Sequence, residues 1–464
     1  MRTCRRNANQ LRIVTALCVA VLAGCASIDP TPDYDQAVQE VQSATGAANV
    51  YHPDHEDGLP EREAALLEGG LELREAVELG LLLNPFLQAS FRSVGIARAD
   101  RVQAGLLTNP SLSLALRLPV DGGPTQIEGG LFASLVDLWQ IPARTRVAQS
   151  ALERTVLELA HSAVQLAGNI RTAYIDAMAA DQLLVIAQEN RDSAARLVEL
   201  VGLRLEVAAA TAIDKNLAEL ELLDTEVVLR DAKFDAGERR RVLTTLLGYD
   251  HVPLEFALTG GLPGSADTLP DVEVLRRLAS DRRLDIRAAT ARLEEAVAEL
   301  QRQHGLVVKF ADVGIDAERD DDWALGPAIR LELPIFDQNQ AQIAKAVAAL
   351  AQHEALLRAV SVSAAQDVSS VFARTQAHWD AVRLYSDQVA RAGETLELSR
   401  QSYEAGKTTI IPVIEAQRKL LSARRMHALR LRAAAAAVSD LERATGTPRE
   451  ELLEANDRQD REQP

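Results

Sequence analysis

Two periodicities share this chain. Between 111 and 118, "SLSLALRL" sets Leu112, Leu114, Leu116 and Leu118 against Ser111, Ser113, Ala115 and Arg117, the alternation of a strand with one apolar face. Ile329, Leu331 and Leu333 alternate with Arg330 and Glu332 in the same way. The stretch "LVVKFADVGID" from 306 alternates less cleanly, and its pattern leaves the faces unassigned. Gly-rich or acidic turns, "VDGGPT" and "ERDDDW", follow the first strand of each pair, so two hairpins are predicted. Elsewhere Leu, Ile, Val and many Ala recur at helical spacing. Helices are predicted over Leu73–Leu107 and Val272–His304, and no proline interrupts Ala143 to Val252 or Ile335 to Ile411. A helix from Ala143 to Leu205 would be roughly 90 Å long, far beyond the ordinary globular length.

Each long helix ends at a break. The second break, "QSYEAGKTTIIPVIEAQRKL" from Gln401 to Leu420, holds Gly406, two threonines and Pro412, and helical pattern resumes at once. Gly406 is suited to a left-handed residue that ends a helix. Thr408 or Thr409 is placed to cap the next helix, and Pro412 suits its first turn. The stretch therefore predicts a tight turn between antiparallel helices at one end of a rod. In the first half the matching stretch, "RLEVAAATAIDKNLAEL", has Ala208 in place of glycine and Asp214 opposite Pro412.

That correspondence runs through the chain. A constant shift of 198 lays Leu135–Leu138 on Leu333–Phe336, Glu206 on Glu404, Thr211 on Thr409 and Leu247-Gly248 on Thr445-Gly446. An internal duplication follows. The expected organisation is a leader at 1–24, an N-terminal linker at 25–70, a first repeat at 71–250, a second at 270–448 and a polar tail at 449–464. The fold class is mainly α with a small β part, a duplicated unit of helix, β-hairpin, long helix and helix.

The first residues change the setting. Arg2, Arg5, Arg6 and Arg12 precede a short apolar run, and Leu22-Ala23-Gly24-Cys25 matches the bacterial lipoprotein cleavage box. A secretory leader with lipidation at Cys25 is expected, an ordinary signal peptide being the alternative. Cys4 and Cys18 leave with the leader, so Cys25 is the one cysteine of the mature chain and no disulfide is available. Ala26, not Asp, follows it, which favours the outer membrane. The Pro- and Asp-rich stretch up to residue 70 reads as an extended linker. Its cluster of His52, Asp54, His55, Glu56 and Asp57 offers divalent-cation ligands, although solvated acidic linker is the commoner meaning.

Four strands placed in a membrane leave two unpaired edges, which lipid cannot satisfy. Closure needs other copies of the chain, so an oligomeric β-barrel continued by a bundle of long helices is expected. "LELREAVELGLLLNPFLQAS", "AGLLTNPSLSL", "LELPIFDQNQAQIAKA" and "SYEAGKTTIIPVIEAQ" occur in this order on the duplicated frame. With them the chain resembles the TolC-type outer membrane efflux factors from about Leu71 to Pro448. The resemblance implies a homotrimer with a twelve-stranded barrel in outer membrane lipid and a periplasmic α-helical barrel. It also implies a periplasmic adaptor (membrane fusion protein) and an inner-membrane pump of the RND type as partners. The wording around Asp337, Asn339 and Gln340 is similar to the branch that exports divalent metal cations. In the family, acidic rings at the tip follow a tyrosine and a glycine. Here Tyr403 and Gly406 match, Pro412 stands in place of the first acid, and Glu415 stands at the second. Asp214, the repeat equivalent of Pro412, is a candidate for the missing charge. Both acids equally suit a plain helix start, where the dipole favours them.

Charge and composition narrow the function. A net charge of −17 gives nucleic-acid binding no electrostatic support. The histidines, His161, His251 and His304 among them, are scattered without catalytic or metal-ligand spacing, so no enzyme and no cofactor beyond the covalent lipid are expected. Three methionines in all leave no thioether array for Cu(I). The expected function is a passive exit duct of an efflux system. The competing class is a structural helical lipoprotein tethering the outer envelope, which needs neither alternating strands nor a duplication.

Overall fold

The computed structural model describes residues 28–118, 120, 125–250, 257–261, 269–319, 322–448 and 451–452. The leader and Cys25 lie outside the described residues, as does nearly all of 449–464. The first half contains α3 (Leu73–Leu83), α4 (Pro85–Gly105), β1 (Ser111–Arg117), β2 (Gln126–Ser134), α5 (Asp137–Glu206) and α6 (Ala212–Leu247). The second repeats that order as α7 (Val272–Arg282), α8 (Leu284–His304), β3 (Ala311–Arg319), β4 (Trp323–Leu331), α9 (Gln340–Glu404) and α10 (Ile411–Thr445). The paired short helices have 11 and 21 residues in both halves. The 70 residues of α5 correspond to a rod of roughly 105 Å. It starts at Asp137, ahead of the expected Ala143, and carries Pro142 inside its first turns.

Three expectations need correction. The single helix expected over Leu73–Leu107 is two helices, because Asn84 leaves the helical path and its side chain accepts from the backbone N–H of Phe86 (3.0 Å) and Leu87 (3.3 Å). Pro85 then opens α4. In the second half Arg283 takes the same extended conformation, and its guanidinium bonds the Asp285 carboxylate at 2.7 Å and the Ala444 carbonyl at 3.3 Å. Second, Leu333 lies beyond β4, although Glu332 adds one more bond to the Phe310 carbonyl.

Third, the stretch before residue 70 is not an extended linker. It forms α1 (Thr31–Thr45) and α2 (Leu59–Leu67). Tyr34, Ala37 and Val41 make a buried stripe along α1, and Val50 and Tyr51 join the same core. Helical spacing was present at 34, 37 and 41. Pro32 falls in the first turn, where its missing N–H leaves no bond unmade. Of the candidate cation cluster only His52 enters this packing, while Asp54, His55, Glu56 and Asp57 stay exposed. His52 is buried 3.3 Å from Asp35 and stacks on His55, while Glu56 accepts from Tyr51 and from Arg92 at 2.7 Å. Burial and the bond to Glu56 push the Tyr51 hydroxyl up to about 12. Among the described residues no group of three metal-ligating side chains gathers.

The core lies where α1, α3 and α4 pack on the middle of α5. There α5 presents Ala160, Ala163, Ala167, Ala173 and Ala177, all buried. Small side chains let the helix axes approach closely, which explains the alanine content of the chain.

Candidate functional site: an open sheet and a paired tip

The strands form one antiparallel sheet in the order β1-β2-β3-β4. Its centre joins the two halves, Leu131 pairing with Ile315 and Ser134 with Asp312. β1 and β4 are therefore open edges. Register assigns the faces. Leu112, Leu114 and Leu116 share one face with Ile127, Leu131, Val313, Ile315, Leu325 and Ile329, and most of these side chains are exposed. The opposite face carries Arg117, Glu128, Asp312, Asp316, Glu318 and Arg330. Arg117 and Glu128 are ion-paired across the strands.

This settles the faces of the third strand. The strand begins only at Ala311, so most of "LVVKF" precedes it, and Gly314 stands where an alternating pattern needs a side chain. Gly314 is required by a neighbour. A Cβ there would meet the Leu131 carbonyl and the Phe132 ring, whose Cδ1 lies 2.6 Å away. Phe132 lies flat across the polar face, 1% exposed, with the Arg330 guanidinium 3.5 Å above its centroid.

At the far end of the rods two turns meet. Gly406 has φ 70° and Ala208 has φ 56°, so both halves use the left-handed turn, the first half without glycine. The closing bonds match: Gly406 N–H donates to Tyr403 and Lys407 N–H to Ser402, as Ala208 N–H does to Leu205 and Ala209 N–H to Arg204. The helix starts differ. Thr211 caps α6, its Oγ1 accepting from Asp214 N–H at 3.2 Å while the Asp214 carboxylate accepts from Thr211 N–H at 2.8 Å. Neither Thr408 nor Thr409 caps α10, whose N-cap is Ile410 without a side-chain bond. Ile410 is instead buried between the turns with Leu197, Val201, Ala218, Tyr403 and Val413. Pro412 stands in the first turn of α10, as expected.

Arg204 ties the two turns together. Its guanidinium lies 4.6 Å over the Tyr403 ring and donates to the Glu404 carbonyl at 3.1 Å. Burial pushes the Tyr403 hydroxyl up, with Arg204 opposing and Asp214 adding to the shift. Above the tip, side chains of α10 bind α5 and α6. Arg418 pairs with Glu221 at 2.6 Å and Asp224 at 3.4 Å, Arg424 with Glu189 at 2.9 Å, and Arg432 with Asp176 at 2.6 Å.

Asp214, Tyr403 and Gly406 thus stand at one tip. Glu415, four residues into α10, is exposed and has no ion-pair partner among the described residues. Arg204 and Arg418 are the tip residues that sequence reasoning missed. The repeat carried a signal, since their positions in the other half hold Ser402 and Leu220, and a charge present in only one half breaks the duplication.

The family model of outer membrane efflux proteins matches residues 275–447. The cobalt-zinc-cadmium resistance protein CzcC of Cupriavidus metallidurans is 27% identical over 290 residues, covering 59% of this chain and 67% of that protein. The pyoverdine export outer membrane protein OpmQ of Pseudomonas putida is 27% identical over 320 residues, covering 64% of this chain and 66% of its own length. Matched segments thus span about two thirds of these relatives. In fold, the chain is similar to the open-state MtrE outer membrane channel of Neisseria gonorrhoeae, with TM-score 0.66 and 19% identity over 81% of this chain and 89% of that one.

Proposed function

We propose that the chain is a TolC-type outer membrane efflux protein and the exit duct of a tripartite efflux system, passing substrate from the periplasm to the exterior; the family-model match, the relatives and the fold support this reading. The observation that carries this reading is the open sheet. It has one apolar face, one charged face and two unpaired edges, and it is joined to rods about 100 Å long whose far ends form paired turns. Nothing in lipid satisfies the edges of β1 and β4 except another strand. Three copies would close a barrel of twelve strands, with the charged face lining the lumen. The paired turns then face a periplasmic adaptor, which connects them to an inner-membrane pump of the RND type.

The proposed cargo is divalent metal cations. The wording around Asp337, Asn339 and Gln340 and the likeness to CzcC support it. So does the balance of the inner face, with Glu128, Asp312, Asp316 and Glu318 against Arg117 and Arg330. Asp214 and Glu415 are proposed to add negative charge at the tip.

Lipidation at Cys25 fits the reach of the chain. Asp33 contacts Arg98 of α4 at 3.5 Å, and α4 rises about 10 Å further before it ends at Gly105. The six residues from Thr31, where α1 begins, back to Cys25 reach up to about 21 Å, enough to bring a lipid to the level of the sheet. Cys25→Ala is expected to abolish labelling by a fatty-acid probe, and retained labelling would remove this element of the reading.

The duct itself is tested in a planar bilayer. Purified protein is expected to give discrete conductance steps, and cross-linking in detergent is expected to stop at three chains. A stable monomer with full β content and no conductance would overturn the duct and favour a tether. A strain lacking the chain is expected to become sensitive to zinc, cobalt or cadmium. Unchanged tolerance to these metals with new sensitivity to organic compounds would reject the cargo.

A further inference from the structure

The apolar face does not stop where the strands stop. β1 has seven residues and β2, β3 and β4 have nine each. At about 3.3 Å per residue and a tilt near 40°, they give roughly 18–23 Å of height. The apolar band of an outer-membrane barrel is about 25 Å tall, so the strands alone fall short of it. Side chains just beyond them make up the difference. After β4, Leu333 (65% exposed), Ile335 (65%) and Phe336 (91%) keep the run of Leu325, Ile329 and Leu331 going. After β2, Leu138 (70%) and Trp139 (42%) project from the first turn of α5. Leu138 and Phe336 are equivalent across the duplication, so each half places an exposed apolar side chain at the same level.

Charge begins immediately afterwards. Asp337 follows Phe336 and is paired with Lys309, and Arg144, just past Trp139, reaches back at 3.2 Å to Asp137, which is buried at the start of α5. At the opposite rim Trp323, 64% exposed, stands across the strands from Arg319, whose guanidinium lies 5.9 Å from its ring. Apolar surface, then tryptophan, then charge is the sequence of environments across a bilayer interface.

We propose that this collar is a lipid-facing surface. The first turn of α5 and the segment Leu333–Phe336 sit in the inner leaflet of the outer membrane, with Trp139 at headgroup depth. The bilayer therefore begins on the helices and not at the ends of the strands. The occupant is lipid because the collar continues the apolar face of the sheet without a gap. The inference rests on the barrel proposed above, and its test separates the two.

The three tryptophans form a depth series. Trp323 stands at the outer rim, Trp139 at the collar, and Trp379 is buried in α9, roughly 58 Å along the helix from its start. Variants of the full chain keeping one tryptophan, the others replaced by Phe, are reconstituted into phosphatidylcholine vesicles carrying lipids brominated either just below the headgroup or near the bilayer centre. Trp139 is expected to be quenched by the shallow label about twofold more than by the deep one. Trp323 is expected to be quenched likewise, and Trp379 by neither. Phe336→Trp in the tryptophan-free background reports on the other half of the collar and is expected to follow Trp139. If Trp323 is quenched while Trp139 and the indole introduced by Phe336→Trp behave like Trp379, another copy or water covers the collar and the proposal falls, the barrel standing. If Trp323 also escapes quenching in protein that floats with the vesicles, the barrel reading falls as well.

Discussion

The two tip turns are a natural experiment in backbone strain, one built on Gly406 and the other on Ala208, with nearly the same left-handed φ. A Cβ added at Gly406 meets nothing within 4 Å, so Gly406→Ala perturbs the backbone alone. The left-handed conformation costs an L-residue about 1–2 kcal/mol. Alanine recovers about 0.5–1 kcal/mol of this because it loses less freedom than glycine on ordering. The net is about 1 kcal/mol, roughly a fivefold change in the opening equilibrium of the turn. Ala208→Gly runs the same difference backwards. Native-state hydrogen exchange reads it directly at Lys407 and Ala209, whose N–H groups close the turns onto Ser402 and Arg204. Gly406→Ala should speed exchange at Lys407 about fivefold, and Ala208→Gly should slow it at Ala209 by a similar factor. Unchanged exchange at Lys407, or faster exchange at Ala209, would refute backbone strain as the difference between the turns.

Further outcomes follow from the same geometry. Glu415→Gln should leave assembly intact and lower the cation preference of the channel, and Glu415→Lys should move it toward anions; reversal potentials equal to wild type would make Glu415 a plain helix-start acid. Arg418→Ala strands the Glu221 carboxylate, whose side chain is 4% exposed, and should cost about 1–3 kcal/mol in urea unfolding. Glu221→Gln added to it should restore part of that loss, and a purely additive double variant would show that the pair is not coupled. Gly314→Val drives a side chain into the Leu131 carbonyl and the Phe132 ring. Its circular dichroism should keep the helical signal while detergent-resistant oligomers disappear, and undiminished oligomer would place the ring elsewhere.

The parts of the fold visible in the sequence are those specified by local pattern. Period-two alternation gave β1 and β4, the proline-free runs gave the long helices, and Gly406 with Pro412 gave a turn. The offset of 198 carried that turn to Ala208, which no propensity rule would have put at positive φ. What was missed depends on contacts distant in sequence. The faces of β3 were hidden because Gly314 serves Phe132, a residue of the other half. α1 was hidden because its apolar stripe is narrow, three residues among acids and prolines, and is held by α4 and α5. At the tip, the threonines expected to cap α10 do not, since burial of Ile410 between the two turns decides the path there. The single helix expected over Leu73–Leu107 overlooked the boundary that Asn84 before Pro85 marks, and the side-chain cap of Asn84 gives its reason.

The pairing of β2 with β3 governs when the sheet can exist. Each hairpin is local, but a two-stranded hairpin alone is marginal in water. The bond ladder that unites them joins Ser134 to Asp312, and closing a loop of roughly 180 residues carries an entropic penalty of about 4–5 kcal/mol before any strand pairs. Helices form from neighbours within microseconds and need no such closure. Once α5 and α6 have packed, and α9 and α10 beside them, the ends of both hairpins are already held at one level and the remaining search is short. Sheet completion is thus the late step of folding, conditional on the rods. A chain still folding is therefore expected to show no finished β-edge on which other chains can aggregate, the edges of β1 and β4 forming only once the rods have packed.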